Sequence, residues 1–324
     1  LDAKISIWDK NYQFNASVIK YNTAGNVIDS NIFKISEKGL SKQTLIIHPN
    51  YTTNGWGAGF GWQVVISADG LTIGVIQGKT QALHKAYVYQ KSGDNWIQKG
   101  STLDYGTPQG YSHPGLIAIT EDGSSIAFMN KVYEWNGSTW TQKGSTFSGD
   151  PWCMRLSRDG ATIVYSEKLA SSSSGMTNST KIYEWDATSS CGQGAWVQKG
   201  QTFNYSFKYS GCEINKDGTI FCISSMIAWN QVEHYIFEWD GSTWTQKGEK
   251  IPYKSAATVV CGMSDDGLTL LFAESDGDYT YVMEWDATSS CGQGGWVMKG
   301  QDISWKLPIN STTNYYSFVG GQNR

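Results

Sequence analysis

The chain has 324 residues, of which 40% are hydrophobic, and its 25 basic and 29 acidic residues give a formal net charge of −4. This length and composition predict a globular protein with one large core or two ordinary ones. The absence of a basic block excludes a nucleic-acid-tracking protein, and no run of 18 or more apolar residues predicts a membrane span.

The predicted elements begin with three strand-like segments near the N-terminus, "AKISIWD", "ASVIKYN" and "VIDSNIFK", with "TAGN" as a turn before the last of them. The chain is rich in Trp, Tyr and Gly and poor in Pro, which favours strands and tight turns. At the C-terminus, "YYSFVGGQNR" resembles a first strand and its turn. We therefore expect the two ends of the chain to build one shared sheet without an open edge.

Between the two ends, a unit recurs five times. Each unit has a turn of the form S-x-D-G or a near variant, at 67–70, 120–123, 157–160, 215–218 and 264–267. An aromatic strand such as "KIYEW" follows, then a second turn and a strand W-x-Q-K-G or W-V-M-K-G. The final glycines, the first at Gly100 and the last at Gly300, are 44 to 56 residues apart, which is the size of a four-stranded propeller blade.

Hydrophobic residues alternate along the two strands that flank each S-x-D-G turn, and the intervening positions are often small or apolar as well. Strands with this pattern are covered on both faces, as in stacked blades. The sequence therefore predicts an all-β fold, a single β-propeller of six blades over residues 1–324, with seven blades as the alternative. The predicted blades span 1–39 plus 301–324, 40–100, 101–144, 145–200, 201–248 and 249–300.

The third strands carry a Trp-Asp pair at Trp8-Asp9, Trp185-Asp186, Trp239-Asp240 and Trp285-Asp286. Together with the D-G turns, these pairs resemble the repeats of WD40-type β-propellers over nearly the whole chain. The Gly-His pair of that family is missing, Asn136 follows Trp135, and the W-x-Q-K-G strand is not a feature of that family. The resemblance is closer to a looser class of secreted propeller repeats, and it implies the architecture rather than the partner.

Catalytic and metal-binding patterns are not found in the sequence. The repeated turn aspartates are expected to stabilise their own hairpins, and the four histidines have no metal-ligand spacing. Asp276 and Asp278 are an alternative calcium site, but a solvated loop is the preferred interpretation. We accordingly expect no enzymatic activity, no cofactor and no metal.

Aromatic residues are concentrated in the longer loops of one propeller face, where they are candidates for stacking on sugar rings. The alternative is that they cap the blades or fill the mouth of the channel. The candidates are Trp56, Trp62, Tyr105, Tyr111, Trp152, Tyr209 and Trp229.

Six Asn-x-Ser/Thr sequons favour a secreted, extracellular glycoprotein, although a chain rich in Ser, Thr and Asn also produces sequons by chance. They lie at Asn15, Asn50, Asn136, Asn178, Asn204 and Asn310.

The six cysteines divide into two groups. Cys212, Cys222 and Cys261 occupy apolar strand positions and are interpreted as small buried hydrophobic residues, while Cys153 is left without a partner. Cys191 and Cys291 lie in an enlarged turn within the duplicated stretch "EWDATSSCGQG". We expect both to be exposed and too far apart to bridge, which makes them candidates for intermolecular disulfides, with a blade-pair duplication and a local disulfide as the alternative.

The sequence thus favours a non-catalytic structural or adhesive extracellular subunit of a larger assembly or filament, with other protein subunits as partners. The alternative is a lectin-like propeller that binds glycans through the aromatic loops. Nucleic acid is not an expected partner.

Overall fold

The structure is a computed structural model that describes residues 14–21, 27–36, 39–44, 60–77, 84–106, 116–172, 175–206, 211–228, 231–252, 258–274, 279–301 and 303–304. Within these residues, none of the helices has the length and apolar character that a membrane crossing requires.

The described strands form six antiparallel sheets, called A to F in chain order. Sheet A contains β1 (Phe14–Tyr21), β2 (Val27–Ser36) and β3 (Gly39–Thr44). Sheet B contains β4 (Phe60–Ile66), β5 (Thr72–Gln77), β6 (His84–Ser92), β7 (Asn95–Gln98) and β8 (Leu103–Gly106). Sheet C contains β9 (Ile117–Ile119), β10 (Ser125–Phe128), β11 (Lys131–Trp135) and β12 (Trp140–Gln142).

The remaining three sheets follow the same plan. Sheet D contains β13 (Asp150–Leu156), β14 (Thr162–Ser172), β15 (Gly175–Asp186), β16 (Ala195–Gln198) and β17 (Phe203–Ser206). Sheet E contains β18 (Cys212–Ile214), β19 (Ile220–Ala228), β20 (Gln231–Trp239), β21 (Trp244–Gln246) and β22 (Ile251–Pro252). Sheet F contains β23 (Thr258–Met263), β24 (Thr269–Glu274), β25 (Tyr279–Asp286), β26 (Gly295–Met298) and β27 (Ile303–Ser304). Two short helical turns, α1 (Ser189–Gly192) and α2 (Ser289–Gly292), precede β16 and β26.

The all-β architecture is confirmed, and each of the five repeated units forms one sheet whose first four strands lie side by side in chain order. The predicted hairpin of "ASVIKYN" and "VIDSNIFK" is the β1–β2 pair. Strand β3, which pairs with β2, is not predicted by the sequence pattern. The segment "AKISIWD" and the C-terminal "YYSFVGGQNR" lie outside the described residues, so the six-blade count and the closure of the two ends stay predictions.

The outer edge of four sheets consists of two short strands in succession. In sheet B, β7 pairs with the second half of β6, and β8 pairs with its first half. The chain leaves the sheet between them at Lys99 and Gly100, where Gly100 has φ +76°. The sequence pattern ends each unit at a glycine, but the next short strand still pairs with the third strand of the same sheet. This is the case for β8, β17, β22 and β27, so sheets B, D, E and F extend beyond those glycines.

The hydrophobic cores lie between neighbouring sheets. One core joins Val65, Ile76 and Val88 of sheet B to Ile117 and Phe128 of sheet C, all of them at most 3% exposed. Strands β9 and β10 are buried on both faces, as the alternation pattern predicts. Sheets B to F are therefore stabilised mainly by their neighbours.

The S-x-D-G turns of sheets B to F are joined in series by backbone hydrogen bonds, which we call a belt. The amide of Ala68 donates to the carbonyl of Glu121 at 2.8 Å, and the amide of Glu121 donates to the carbonyl of Arg158 at 2.8 Å. The belt continues through Lys216 to Asp265. Two ion pairs cross it, Arg158 Nη1 to Asp265 Oδ1 at 2.7 Å and Lys216 Nζ to Glu121 Oε2 at 2.7 Å, so each pair joins sheets that are not adjacent.

The turn aspartates have the structural role that the sequence predicts. Asp69 Oδ1 accepts hydrogen bonds from the Ser67 hydroxyl and from the Leu71 amide. Asp122 Oδ1 accepts equivalent bonds from the Thr120 hydroxyl and the Ser124 amide. These carboxylates hold their own hairpins and are occupied by them.

The interpretation of Cys212 as a small buried hydrophobic residue is wrong. Cys153 and Cys212 form a disulfide between the first strands of sheets D and E, with their Cα atoms 6.1 Å apart. The alternation pattern places Cys212 at a core position of its strand. It does not show that Cys153 lies opposite it in sheet D. Next to the disulfide, Arg155 Nε lies 2.9 Å from Glu213 Oε1 across the same interface.

Candidate functional site

The W-x-Q-K-G strand connects each unit to the next through its tryptophan. The indole N–H of each such tryptophan donates to the carbonyl of the lysine in the preceding unit, at distances of 2.7 to 2.9 Å. The pairs are Trp140 with Lys99, Trp196 with Lys143, Trp244 with Lys199, and Trp296 with Lys247.

The lysine side chain of the same motif makes two further contacts. Lys199 Nζ lies 5.3 Å from the ring centroid of Trp239 in the next sheet, which is a cation–π distance. It also pairs with Glu184 of its own sheet at 2.8 Å. The equivalent ion pairs are Lys143–Glu134, Lys247–Glu238 and Lys299–Glu284.

The glycine that follows the lysine allows the two sheets to approach each other. Gly144 has φ +73°, and a Cβ atom there would lie 2.7 Å from Trp196 Cδ1 and 2.9 Å from Trp185 Cζ3. Only glycine fits this backbone conformation and this space without strain. We call this contact a latch: the Lys-Gly pair at the end of one W-x-Q-K-G strand packs against the tryptophan pair of the next sheet.

Sheet B departs from this latch in its third strand. Strand pairing places Tyr89, Gln90 and Lys91 where sheet C has Tyr133, Glu134 and Trp135. Gln90 therefore replaces the glutamate that pairs with the lysine in the other sheets. Lys91 replaces the first tryptophan of the pair, and Trp96 lies opposite it on β7.

Lys99 lacks the carboxylate partner that its equivalents have. Its Nζ donates to the carbonyl of Gly123 at 3.2 Å and lies 5.4 Å from the ring centroid of Trp135. Among the described residues, no carboxylate lies within ion-pair distance of Lys99 or Lys91.

A groove of about 440 Å³ lies at this interface between sheets B and C. Its walls combine an apolar surface with amide and amine groups, and none of its lining residues is acidic. The lining residues are Gln90, Lys91, Ser92, Ile97, Gln98, Lys99, Gly100 and Trp135. A concave site of this size with a few convergent polar groups suits a small ligand.

Lys99 is the groove residue whose pKa is shifted. Burial lowers the pKa of Lys99 below its ordinary value, and the charges of Asp122 and Asp69 oppose this shift without reversing it. A lysine with a lowered pKa is more readily deprotonated and can then accept a proton. Gln90 and Gln98 add amide donors and acceptors, and Ile97, at 57% exposure, adds apolar surface.

Sequence reasoning did not find the groove residues Gln90, Lys91 and Lys99. The pattern that could have found them is the replacement of Glu-Trp by Gln-Lys at the end of the third strand in one unit of five. In an array of similar units, the shared residues account for the packing, so a residue that differs in one unit is a candidate for a local role.

The predicted aromatic ligand face is described only in part. Tyr105 is half-buried and packs against the core shared by sheets B and C, and Trp152 is buried at 8% exposure. Trp152 thus has the surroundings of a core residue rather than of an open stacking platform. The side chain of Trp62 and the residues Trp56, Tyr111, Tyr209 and Trp229 lie outside the described part.

The predicted sequons occur in both strands and turns. Asn136 is exposed in the turn between β11 and β12, and Asn204 is exposed in β17. Asn15 and Asn178 lie in β1 and β15, but their side chains are not described. Asn50 and Asn310 lie outside the described residues, as do Asp276 and Asp278.

The duplicated cysteines lie in α1 and α2, both exposed and neither in a disulfide. Cys191 has φ +57° and Cys291 has φ +58°, so each turn is left-handed at its centre. Of the histidines, His84 and His234 are buried, and no group of metal-ligating residues occurs within the described ranges. His48 and His113 lie outside those ranges.

No family model and no curated protein matches the chain. Among solved structures, the periplasmic gluconolactonase PpgL of Pseudomonas aeruginosa is similar over 91% of this chain and 84% of that chain, with 13% identity and a TM-score of 0.54. A putative 6-phosphogluconolactonase of Bacteroides fragilis covers 91% of this chain and 96% of its own, with 14% identity and a TM-score of 0.48. TolB of Acinetobacter baumannii covers 88% of this chain and 64% of its own, with 13% identity and a TM-score of 0.45.

The similarity to PpgL, with the six antiparallel sheets, shows that the chain has a β-propeller fold. The prediction of a non-catalytic structural or adhesive protein, with a lectin-like binder as its alternative, is wrong. The fold is that of a chain named as a gluconolactonase, which is an enzyme, so the propeller architecture gives no reason to exclude catalysis.

Proposed function

We propose that the chain is a hydrolase that opens a small cyclic ester, the lactone of a sugar acid, in the groove between sheets B and C. The observation that carries the proposal is Lys99, the one described latch lysine of sheets B to F that lacks a glutamate partner, in a concave site of about 440 Å³. A group with a perturbed pKa in a cleft is a functional-site candidate on physical grounds. The fold shared with a gluconolactonase suggests the substrate class.

In this proposal, the unprotonated fraction of Lys99, which burial increases, acts as the general base. It accepts a proton from a water molecule while the water oxygen attacks the carbonyl carbon of the lactone. The ring C–O bond then breaks, and the departing oxygen takes the proton from the Lys99 ammonium. One water and one lactone thus give one hydroxy acid, which loses its carboxyl proton at neutral pH.

Two other groove residues would position the substrate. The indole face of Trp135 offers an apolar platform for the ring of the sugar lactone. The side-chain amide of Gln90 can donate a hydrogen bond to the carbonyl oxygen as that oxygen gains negative charge.

The test is a pH-stat assay of acid release from glucono-1,5-lactone and related lactones, with spontaneous hydrolysis subtracted. We expect Lys99→Met to lower kcat/KM by about 10²-fold or more, as for the loss of a general base. Lys143→Met is the matched control, because Lys143 has the same place in the repeat but pairs with Glu134. Wild-type protein without activity on any lactone, or equal losses in the two variants, would refute the proposal.

We also propose that the chain acts outside the cytoplasm. The Cys153–Cys212 disulfide is typical of proteins that fold in an oxidising compartment, either extracellular or periplasmic. Secretion as a glycoprotein, the resemblance to WD40-like secreted repeats, and intermolecular bonds at Cys191 and Cys291 stay predictions. Peptide mapping by mass spectrometry of native material without reductant would test the glycosylation and the intermolecular disulfides together.

A further inference from the structure

Lys91 occupies a position that the repeat reserves for tryptophan. In sheets C to F that position is Trp135, Trp185, Trp239 or Trp285, and each of these rings packs against the tryptophan opposite it at 5.2 to 5.5 Å. In sheet B, Lys91 is opposite Trp96 instead. The substitution removes one ring of the pair and adds an ammonium group to the wall of the groove.

We infer that Lys91 selects substrates that carry a second, anionic group, a carboxylate or a phosphate, away from the lactone bond that is cleaved. This inference rests on the proposed function, because it assigns a substrate class to the same groove. It makes Lys91 a specificity-determining residue and leaves proton transfer to Lys99.

The charge distribution in the groove supports this assignment. Its lining includes Lys91 and Lys99 and no acidic residue. The charges of Asp122 and Asp69 act on Lys99, whereas no described carboxylate lies within ion-pair distance of Lys91. An anion beside Lys91 would therefore meet an ammonium without a described carboxylate partner, and charge-assisted hydrogen bonds to an ammonium are stronger than neutral ones.

The position of Lys91 also separates its role from that of Lys99. Lys91 is exposed, whereas Lys99 is half-buried against Trp135. The exposed amine of Lys91 would bind an anion at the rim of the site, and salt will weaken that contact. The buried amine is the one whose pKa burial lowers.

The experiment compares three substrates with the same ring. They are a neutral aldonolactone, the corresponding lactone with a terminal carboxylate, and the corresponding lactone with a terminal phosphate. The quantity measured is the ratio of kcat/KM for each charged lactone to kcat/KM for the neutral one. We expect this ratio to exceed one in the wild type for at least one anion, to fall about tenfold in Lys91→Met through a higher KM, and to recover in Lys91→Arg.

A matched control keeps net charge from explaining the result. Lys85→Met removes one positive charge from the same strand, but Lys85 pairs with Asp104 and does not line the groove. A loss only with the carboxylate or only with the phosphate identifies the anion. Equal ratios in wild type and Lys91→Met, or the same fall in Lys85→Met, would overturn the inference.

Binding measurements separate this inference from the proposed function. Calorimetry with the three open-chain hydroxy acids needs no catalysis and reports the same charge preference. A preference for the extra anion that Lys91→Met abolishes, in a protein that opens no lactone, would refute the proposed reaction and keep the role of Lys91. No such preference in a protein that does hydrolyse lactones would refute the role of Lys91 alone.

Discussion

Two interfaces share the same latch but differ in the contacts around it. One lies between sheets D and E, and the other lies between sheets B and C. At D/E, the latch lysine Lys199 pairs with Glu184, and the Cys153–Cys212 disulfide and the Arg155–Glu213 pair add further bonds. At B/C, the latch lysine has no carboxylate partner, and a groove remains. In this repeat, the residues shared by all units hold the sheets together, and the positions that differ in one unit are candidates for a separate function.

The largest expected effect concerns the reinforced interface. Replacing both Cys153 and Cys212 by Ser removes a cross-link between residues separated by 59 positions. For a loop of this length, we expect a loss of about 4 kcal/mol in the free energy of unfolding. Denaturant unfolding under non-reducing conditions measures it, with Cys191→Ser as the control because Cys191 is exposed and unpaired. A loss of less than about 1 kcal/mol in the double variant would show that the disulfide does not reinforce this interface.

The latch itself is tested at its glycine. In Gly144→Ala, the new Cβ meets the rings of Trp196 and Trp185 and the backbone stays at φ +73°. We expect a loss of about 3 kcal/mol, since overpacking adds to the penalty for a left-handed backbone.

Gly93→Ala is the matched comparison for that substitution. Gly93 also lies in the left-handed region, with φ +58°, but a Cβ there meets nothing within 4 Å. Backbone strain alone should cost about 1 to 2 kcal/mol, measured by the same denaturant titration. Equal losses at both positions would mean that close packing against the tryptophan pair contributes nothing to the latch.

A smaller effect is expected at the E/F interface in mild acid. His234 is buried there, with Nδ1 2.9 Å from Ser224 Oγ and its ring centroid 4.4 Å from that of Phe272. Burial lowers the pKa of His234 from 6.5 to about 3, so the unfolded chain binds a proton that the folded chain does not bind between those values. Stability from this group is therefore complete above pH 6.5 and declines as the pH falls toward 3.

The acid effect can be isolated by comparing two pH values. Between pH 7 and pH 5, we expect His234 to account for a loss of about 2 kcal/mol, which His234→Gln should remove from the pH dependence. Identical differences between pH 7 and pH 5 in wild type and variant would show that His234 does not titrate in this way.

Much of the fold follows from local rules that act along the sequence. The D-G turns predict the hairpins, and the alternation around residues such as Ile126 and Phe128 predicts strands buried on both faces. Strand β3 and the second outer strands were missed because they depend on which third strand a polar segment rejoins. The disulfide was missed for a related reason, since the contact of Cys153 with Cys212 depends on the packing of two sheets.

The groove was harder to predict than the fold. Its lysine, Lys99, is identical in sequence to the other latch lysines, and only the residue opposite it in the structure differs. In the sequence alone, Gln90 is one substitution among many between the units. Its significance depends on the ion pairs that the equivalent glutamates form with their lysines, at Glu134, Glu184, Glu238 and Glu284. The aromatic residues of the predicted ligand face lie mostly outside the described residues, so that part stays a prediction.

If the missing glutamate makes the site, restoring it in Gln90→Glu should abolish the function of Lys99. The new carboxylate would have the place in sheet B that Glu134 has in sheet C. It would pair with Lys99 and raise the pKa of the Lys99 amine. We predict that this variant stays folded, with a change in stability of at most about 1 kcal/mol. Its kcat/KM for lactone hydrolysis should be at least tenfold lower than that of Gln90→Met, which removes the amide donor without adding a carboxylate. Glu238→Gln, the reverse change in sheet E, should keep wild-type activity, whereas full activity in Gln90→Glu, or the same loss as in Gln90→Met, would show that the missing glutamate does not make the site.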